Sequence, residues 1–353
     1  MTNLSFRGRI FGGKGVLAFI VLVGTTALVC TPWLLRSQSS DQVHVIPRLG
    51  EHDAGGSSAG AGEDANPQSA LRTKSLRVNV DLVLVPVTVI DAGHRPVTAL
   101  QKQNFALYEN SQEQQIRYFS TDEAPISVGV ILDLSGTMGN KIAVARKAVT
   151  EFLKNANPED DFFVITFAAR PTLIADTTQS IDEVEAKLAF AKPAGFTALL
   201  DAIHLGIAKL RTARHERRAL LIISDGGDNA SRYTLRETTK MLEEADVPLY
   251  AIGIFDDTFP VFGPLENKLG QRLLTQVTDA TGGHTIAAKH VAQLPDIAAA
   301  ISLELRSQYV LGYRPSNGAP DGKWRKIKVR VASSSGTPPL QTYYRRGYLA
   351  PER

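Results

Sequence analysis

Between Pro125 and Gln308, short apolar runs alternate with segments of helical period, and this alternation constrains the fold more than any other feature of the chain. "ISVGVILD", "DFFVITFA", "RALLIISD" and "VPLYAIGIF" have the length and composition of buried strands, and "HTIAA" is a shorter one. "NKIAVARKAVTEFLKNA", "IDEVEAKLAFA", "ALLDAIHLGIAKL", "RETTKMLEEA", "KLGQRLLTQVTDAT" and "VAQLPDIAAAISLELRSQ" repeat apolar residues at the three- and four-residue spacing of one helix face. Strands that alternate with helices require a mostly parallel sheet covered on both faces. Right-handed crossovers make that sheet an open, doubly wound layer. The expected fold class is therefore α/β, doubly wound and Rossmann-like, over residues 125–308.

On either side the pattern becomes that of strands alone. "LRVNVDLVLVPVTVIDAGHRPV", "FALYEN" and "QQIRYFS" make a first β-segment over residues 76–124. "YVLGYRP", "WRKIKVRV" and "LQTYYRRGYL" make a second over 309–353. Together they are about the size of one sandwich domain. The ends of a compact domain commonly lie close together. The expectation is an α/β domain inserted into a β-sandwich-like domain whose halves pair in space; the alternative is two separate β-appendages flanking it.

The N-terminal quarter has a different chemistry. Residues 1–15 carry Arg7, Arg9 and Lys14 and no acidic residue. Residues 16–35, "VLAFIVLVGTTALVCTPWLL", are uncharged and long enough to span a bilayer as a helix. Positive charge on the near side predicts a cytoplasmic N-terminus, a single transmembrane signal-anchor and an exported, periplasmic or extracellular, remainder. A cleaved signal peptide is the alternative, although the apolar core is longer than those usually are and no clear A-x-A cleavage site follows it. Residues 36–75 are Ser-, Gly- and Ala-rich and read as a disordered tether.

With a net charge of +3 and interspersed signs, the chain lacks a dedicated nucleic-acid surface. The cluster "RHERR" (Arg214 to Arg218) is expected to be a solvated helix end. Cys30 is the one cysteine, so intrachain disulfides and multi-thiolate metal sites are excluded.

In an open parallel sheet, ligands bind beyond the carboxyl ends of the strands. The first strand delivers Asp133, followed by Ser135 and Thr137. "ALLIISD" delivers Asp225, and Thr197 stands just before a helix, where it is a candidate N-cap. All five donors are oxygens. That set suits a hard cation, Mg²⁺, Mn²⁺ or Ca²⁺, rather than Zn²⁺. Asp228 and Asn229 read as a turn, His204 as structural, and Asp256 and Asp257 as a solvated loop.

"DLSGTM", "GFTALLDA" and "ISDGGDN" resemble the three pieces of the metal-ion-dependent adhesion site of von Willebrand factor type A domains, whose pattern is Asp-x-Ser-x-Ser, a Thr, then an Asp. The order of elements from Pro125 to Gln308 agrees, and the looser mixture of anchor, tether and sandwich resembles exported bacterial members, including an acidobacterial group. The resemblance implies that Asp133, Ser135, Thr137, Thr197 and Asp225 hold the ion, with Thr137 where the family usually has Ser. It also implies an open coordination position filled by a Glu or Asp carboxylate of a protein partner. The expected role is thus a membrane-tethered binding or adhesion module rather than an enzyme. The alternatives are an envelope scaffold with a stabilising metal and a Mg²⁺-dependent hydrolase. Against the hydrolase, Ser135 stands where a phosphoaspartyl enzyme needs a second carboxylate, no G-x-S-x-G elbow stands at the end of an apolar strand run, and no G-x-G-x-x-G turn follows the first strand.

Overall fold

The computed structural model describes residues 82–121, 123–255, 263–332 and 339–352. The expected membrane span and tether, and Asp256 and Asp257, lie outside the described residues. Among the described residues no helix is long and apolar enough to cross a membrane.

The described residues open with four strands: β1 (Val83–Ile90), β2 (Phe105–Glu109), β3 (Gln112–Gln114) and β4 (Ile116–Ser120). Next come β5 (Ile126–Asp133), α1 (Ile142–Lys154), β6 (Asp161–Phe167), β7 (Pro171–Thr178), α2 (Ile181–Ala189) and α3 (Leu199–Leu210). These are followed by β8 (Arg217–Ser224), α4 (Leu235–Ala245), β9 (Leu249–Ile254), α5 (Gly263–Asp279), β10 (Thr285–Ala288) and α6 (Leu294–Arg306). The C-terminal strands are β11 (Tyr309–Tyr313), β12 (Trp324–Val331), β13 (Gln341–Tyr344) and β14 (Gly347–Leu349).

The central sheet has the order β10-β9-β8-β5-β6-β7. It is parallel except for β7, which runs antiparallel to β6. Every residue of β5 is buried, as a strand covered on both faces requires. One apolar core lies under α1, α2 and α6, where Val130 and Leu132 meet Val149, Phe152 and Ile301. A second lies under α3, α4 and α5, where Ile131 and Ile222 meet Ile203, Leu242 and Leu274. The layer is therefore wound on both faces. The antiparallel edge strand β7 is absent from the sequence reading; Ala175 is its one buried residue, with half-buried Ile174 packed beside it, so "PTLIADTT" shows little of a strand's apolar signal.

The remaining strands form two four-stranded sheets, β13-β1-β11-β4 and β14-β12-β2-β3. Strands from before and after the α/β layer pair directly, β1 with β11 and β13, and β2 with β12. On β12, buried Arg325, Ile327 and Val329 alternate with exposed Lys326, Lys328 and Arg330, the period of a half-buried strand. Between the sheets Val85, Val87, Leu107, Tyr309, Leu311 and Ile327 make a third core.

Arg217 joins the two parts. Its guanidinium donates to Ala124 O at 2.6 Å, just before β5, and to Leu305 O at 2.7 Å, at the end of α6. The points where the chain leaves and re-enters the β-sheets are thus bound by one side chain. This corrects the reading of "RHERR" as a solvated helix end, because Arg217 and Arg218 open β8. The joint lies at the amino ends of the parallel strands. Their carboxyl ends are left free at the opposite side.

Candidate functional site

The sheet order reverses at β5, whose neighbours β6 and β8 are reached through connections on opposite sides. A crevice opens at the carboxyl ends of strands at such a switch point. Asp133 is the last residue of β5 and is fully buried. Its Oδ1 accepts the Ser135 amide at 2.7 Å, and its Oδ2 accepts the Ser224 hydroxyl at 2.6 Å. Ser224, which the sequence reading passed over, ends β8 and ties the first rim loop to the third. Its signal was available, since it directly precedes Asp225 at the end of an apolar run.

After Asp133 the chain turns through a 3-10 turn at Gly136–Met138. This places the Ser135 and Thr137 hydroxyls 3.0 Å apart, Ser135 buried and Thr137 exposed at the mouth. The second loop is bound to the first by a hydrogen bond from Gly136 N to Gly195 O at 3.1 Å. Thr197 is buried, and its amide donates to Asn229 Oδ1 at 2.8 Å.

Thr197 is not the helix cap expected for it. Ala198 occupies the N-cap of α3 without a side-chain bond. Asp228 Oδ1 instead accepts the Leu199 amide at 3.0 Å. The cap comes from the third loop, so the Thr197 hydroxyl is left for the rim. Asp228 and Asn229, read as a turn, therefore fasten the second loop to the third.

Asp225 is half-buried, and its Oδ1 accepts the Gly227 amide at 3.3 Å. A Cβ placed on Gly227 would stand 3.5 Å from Asp225 Oδ1 and 3.8 Å from Thr197 Oγ1, so both oxygens border the same small space. Gly226 has φ +81° and runs against Gly270 of α5: a side chain on Gly226 would overlap the Gly270 backbone, and one on Gly270 would overlap the Asp225 carbonyl. Glycine is needed here both for its positive φ and for the close approach.

The electrostatics follow from this crowding. Burial first, and the neighbouring Asp225 charge second, raise the Asp133 carboxyl to about 6 against the lowering effect of the Ser224 and Ser135 hydrogen bonds. Two carboxylates thus share a partly dry site, and neither is paired with a basic side chain among the described residues. A cation there would offset both penalties. The fit can be tested on the hydroxyls: adjacent corners of an octahedron with ligands at ~2.1 Å lie ~3.0 Å apart, which is the Ser135–Thr137 separation. Without an ion, the same separation is a hydroxyl–hydroxyl hydrogen bond. Among the described residues no three acidic, imidazole or thiol groups surround one point; two carboxylates and three hydroxyls are the donors. The residues present fit a hard divalent cation.

Residues 128–227 match the family model of the von Willebrand factor type A domain, a stretch that contains all five rim residues. The chain carries a type A domain. Its human relative, inter-alpha-trypsin inhibitor heavy chain H4, is 24% identical over 153 residues, covering 39% of this chain and 16% of that protein. The bovine form is 26% identical over 127 residues, covering 31% and 14%. The chain therefore spans about one-sixth or less of the curated relatives it matches. Among solved structures it is similar to a von Willebrand factor type A protein from Catenulispora acidiphila, at a TM-score of 0.46 and 13% identity, covering 75% of this chain and 73% of that one. It is also similar to BatB from Bacteroides thetaiotaomicron, at a TM-score of 0.42 and 17% identity, covering 52% and 100%.

Beside the type A rim stand two exposed aromatic side chains, Phe190 (84% exposed) and Phe196 (65%). The sequence reading did not single them out. Phe196 directly precedes Thr197, and an apolar residue in the Gly-flanked loop "AGFT" was the available signal.

Proposed function

We propose that the type A domain is a metal-dependent protein-binding module. Asp133, Ser135, Thr137, Thr197 and Asp225 hold one Mg²⁺ or Mn²⁺, and a partner's Glu or Asp carboxylate completes its shell. The observation that carries this reading is the pairing of two hydroxyls at octahedral-edge distance with two carboxylates that have no basic partner among the described residues, on a rim facing away from the sandwich. With Asp133 and Asp225 acting through water or hydrogen bonds, the ion's direct side-chain ligands are three neutral hydroxyls, and its charge attracts a further carboxylate. Among the described residues of this rim the serine and threonine hydroxyls have no imidazole beside them to act as a general base, which supports a reading of binding.

We propose further that residues 16–35 act as a single-pass signal-anchor and hold this module outside the cytoplasm; their uncharged composition after Arg7, Arg9 and Lys14 supports this reading. Both proposals have direct tests. Calorimetric titration of the full chain with MnCl₂ is expected to give one ion per chain, with uptake lost in Asp225→Asn. No heat of binding in the natural chain would overturn the metal site. Fractionation of cells expressing the full chain is expected to recover it in membranes, and recovery in the soluble fraction would overturn the anchor.

A further inference from the structure

A cavity of about 950 Å³ opens beside the metal rim, along the outer face of α3, between the β6–β7 hairpin and α4. Its rim end adjoins the proposed site: Ala230, in its wall, donates its amide to the carbonyl of Thr197 at 3.0 Å. Three arginines line it. Arg232 is held by Asp201, Nε to Oδ2 at 3.0 Å. Arg170, at the hairpin, and Arg211, at the far end of α3, are exposed and have no acidic partner among the described residues. One wall is flat and aromatic, with the Tyr233 ring stacked on His204 at 3.6 Å and 3°.

We infer that this groove is the second half of the partner site and takes an extended acidic protein segment. One carboxylate of that segment binds the metal, and further ones descend onto Arg170 and Arg211. The inference rests on the metal-site reading for the first carboxylate and on the groove for the rest. Guanidinium groups receive carboxylates in bidentate fashion, and the stacked Tyr233–His204 pair offers a surface for the intervening apolar atoms. Length sets the spacing. Asp201 and Arg211 are ten residues apart on one helix, roughly 15 Å, which an extended chain covers in about four or five residues. Because Thr197 lies before Asp201 in the chain, the fitting partner carries the carboxylate for Arg211 at least about four or five positions from the metal-bound one, in a strand-like or unfolded stretch. Isolated carboxylates of small molecules would reach the metal alone.

The test uses the full chain and a fluorescein-labelled oligoglutamate peptide, read by anisotropy in Mg²⁺ and in EDTA. N-acetylglutamate amide serves as the single-carboxylate probe, read by competition. The exposed double variant Arg170→Glu/Arg211→Glu is expected to weaken oligoglutamate by about tenfold or more, two charge-assisted contacts each contributing a few-fold. Its affinity for the single-carboxylate probe should be unchanged. The variant Lys328→Glu/Arg330→Glu, with the same charge change on exposed strand residues of the sandwich, should leave both affinities unchanged.

Equal oligoglutamate affinity in the natural chain and Arg170→Glu/Arg211→Glu overturns the groove and leaves the metal site standing. Equal loss in both double variants also overturns it, as attraction to charge in general. Failure of the natural chain to bind oligoglutamate in Mg²⁺ overturns it as well. Binding that survives EDTA but falls in Arg170→Glu/Arg211→Glu keeps the groove and removes the metal reading.

Discussion

Asp133→Asn should leave the type A domain folded and more stable without metal, yet unresponsive to Mg²⁺. In the natural chain Asp133 is fully buried and its two oxygens are engaged, one by the Ser135 amide and one by the Ser224 hydroxyl. Asparagine keeps an oxygen for Ser135 N–H and presents its amide to Ser224 Oγ, so both loops stay tied. It removes the buried negative charge and its repulsion with Asp225, the two causes that raise this carboxyl. The relief is on the order of 1–3 kcal/mol, or several degrees in melting temperature for a domain of this size. A bound ion stabilises the natural domain by about 2.7 kcal/mol at a hundredfold excess over Kd. Scanning calorimetry in EDTA and in saturating MgCl₂ separates the two effects. The natural chain should gain about 5–10 °C on adding Mg²⁺; the variant should begin higher and gain nothing. A variant that keeps the full Mg²⁺-dependent rise would remove Asp133 from the site.

The contrast between a neutral asparagine and a charged aspartate bears on which parts of this molecule were legible in the sequence. Asp133, Thr197 and Asp225 were legible as rim candidates because each sits where a period ends, the aspartates after apolar runs and Thr197 before a helical one; Ser135 and Thr137 follow Asp133 in the same loop. Such positions are read from local pattern alone. What fastens them could not be found that way. Ser224, Asp228 and Asn229 act on residues 29 to 91 positions distant, and nothing local distinguishes a serine at a strand end that bridges to a carboxylate from one that meets water. The same reason hid Arg217, whose basic neighbours suggested solvent while its guanidinium spans the two connections to the sandwich. β7 was missed for another reason: an edge strand buries one residue in its core and so shows little alternation. The pairing of the flanking β-segments was inferred from summed length and the nearness of domain ends, while the registers of β1 with β11 and β2 with β12 depend on side-chain fit between distant segments.

Glu304→Gln should raise the melting temperature at mildly alkaline pH and remove the decline in stability that the natural chain shows there. Glu304 lies in the last turn of α6 with no exposure, and burial pushes its carboxyl up to about 8. His284, just before β10, faces it at 3.4 Å between Nε2 and Oε2. Burial, and secondarily the charge of His94, pushes that imidazole down to about 4. Neither side chain has an aligned hydrogen bond among the described residues, and the ring of Tyr343 from β13 stacks on His284 at 4.0 Å. At neutral pH the pair is therefore an uncharged carboxylic acid beside an uncharged imidazole, set in the joint between the α/β layer and the sandwich.

The sign of the pH dependence follows from each group in turn. An unfolded glutamate releases its proton near ~4.3 and the folded one holds it to about 8, so this group's contribution falls as pH rises through that window. An unfolded histidine titrates near ~6.5 and the folded one near 4, so its contribution falls as pH drops through that window. From ~4.3 to ~6.5 the two slopes oppose and cancel; above ~6.5 only the glutamate slope remains, about 1.4 kcal/mol per pH unit. Glutamine removes that slope and can donate its amide to His284 Nε2. The difference in melting temperature between variant and natural chain should widen by about 3–6 °C from pH 6.5 to 7.5. Curves that run parallel from pH 6 to 8 would show that Glu304 is ionised in the folded state. Because the joint and the metal rim lie at opposite ends of the parallel strands, the same substitution should leave the affinity for Mn²⁺ unchanged at every pH in this range.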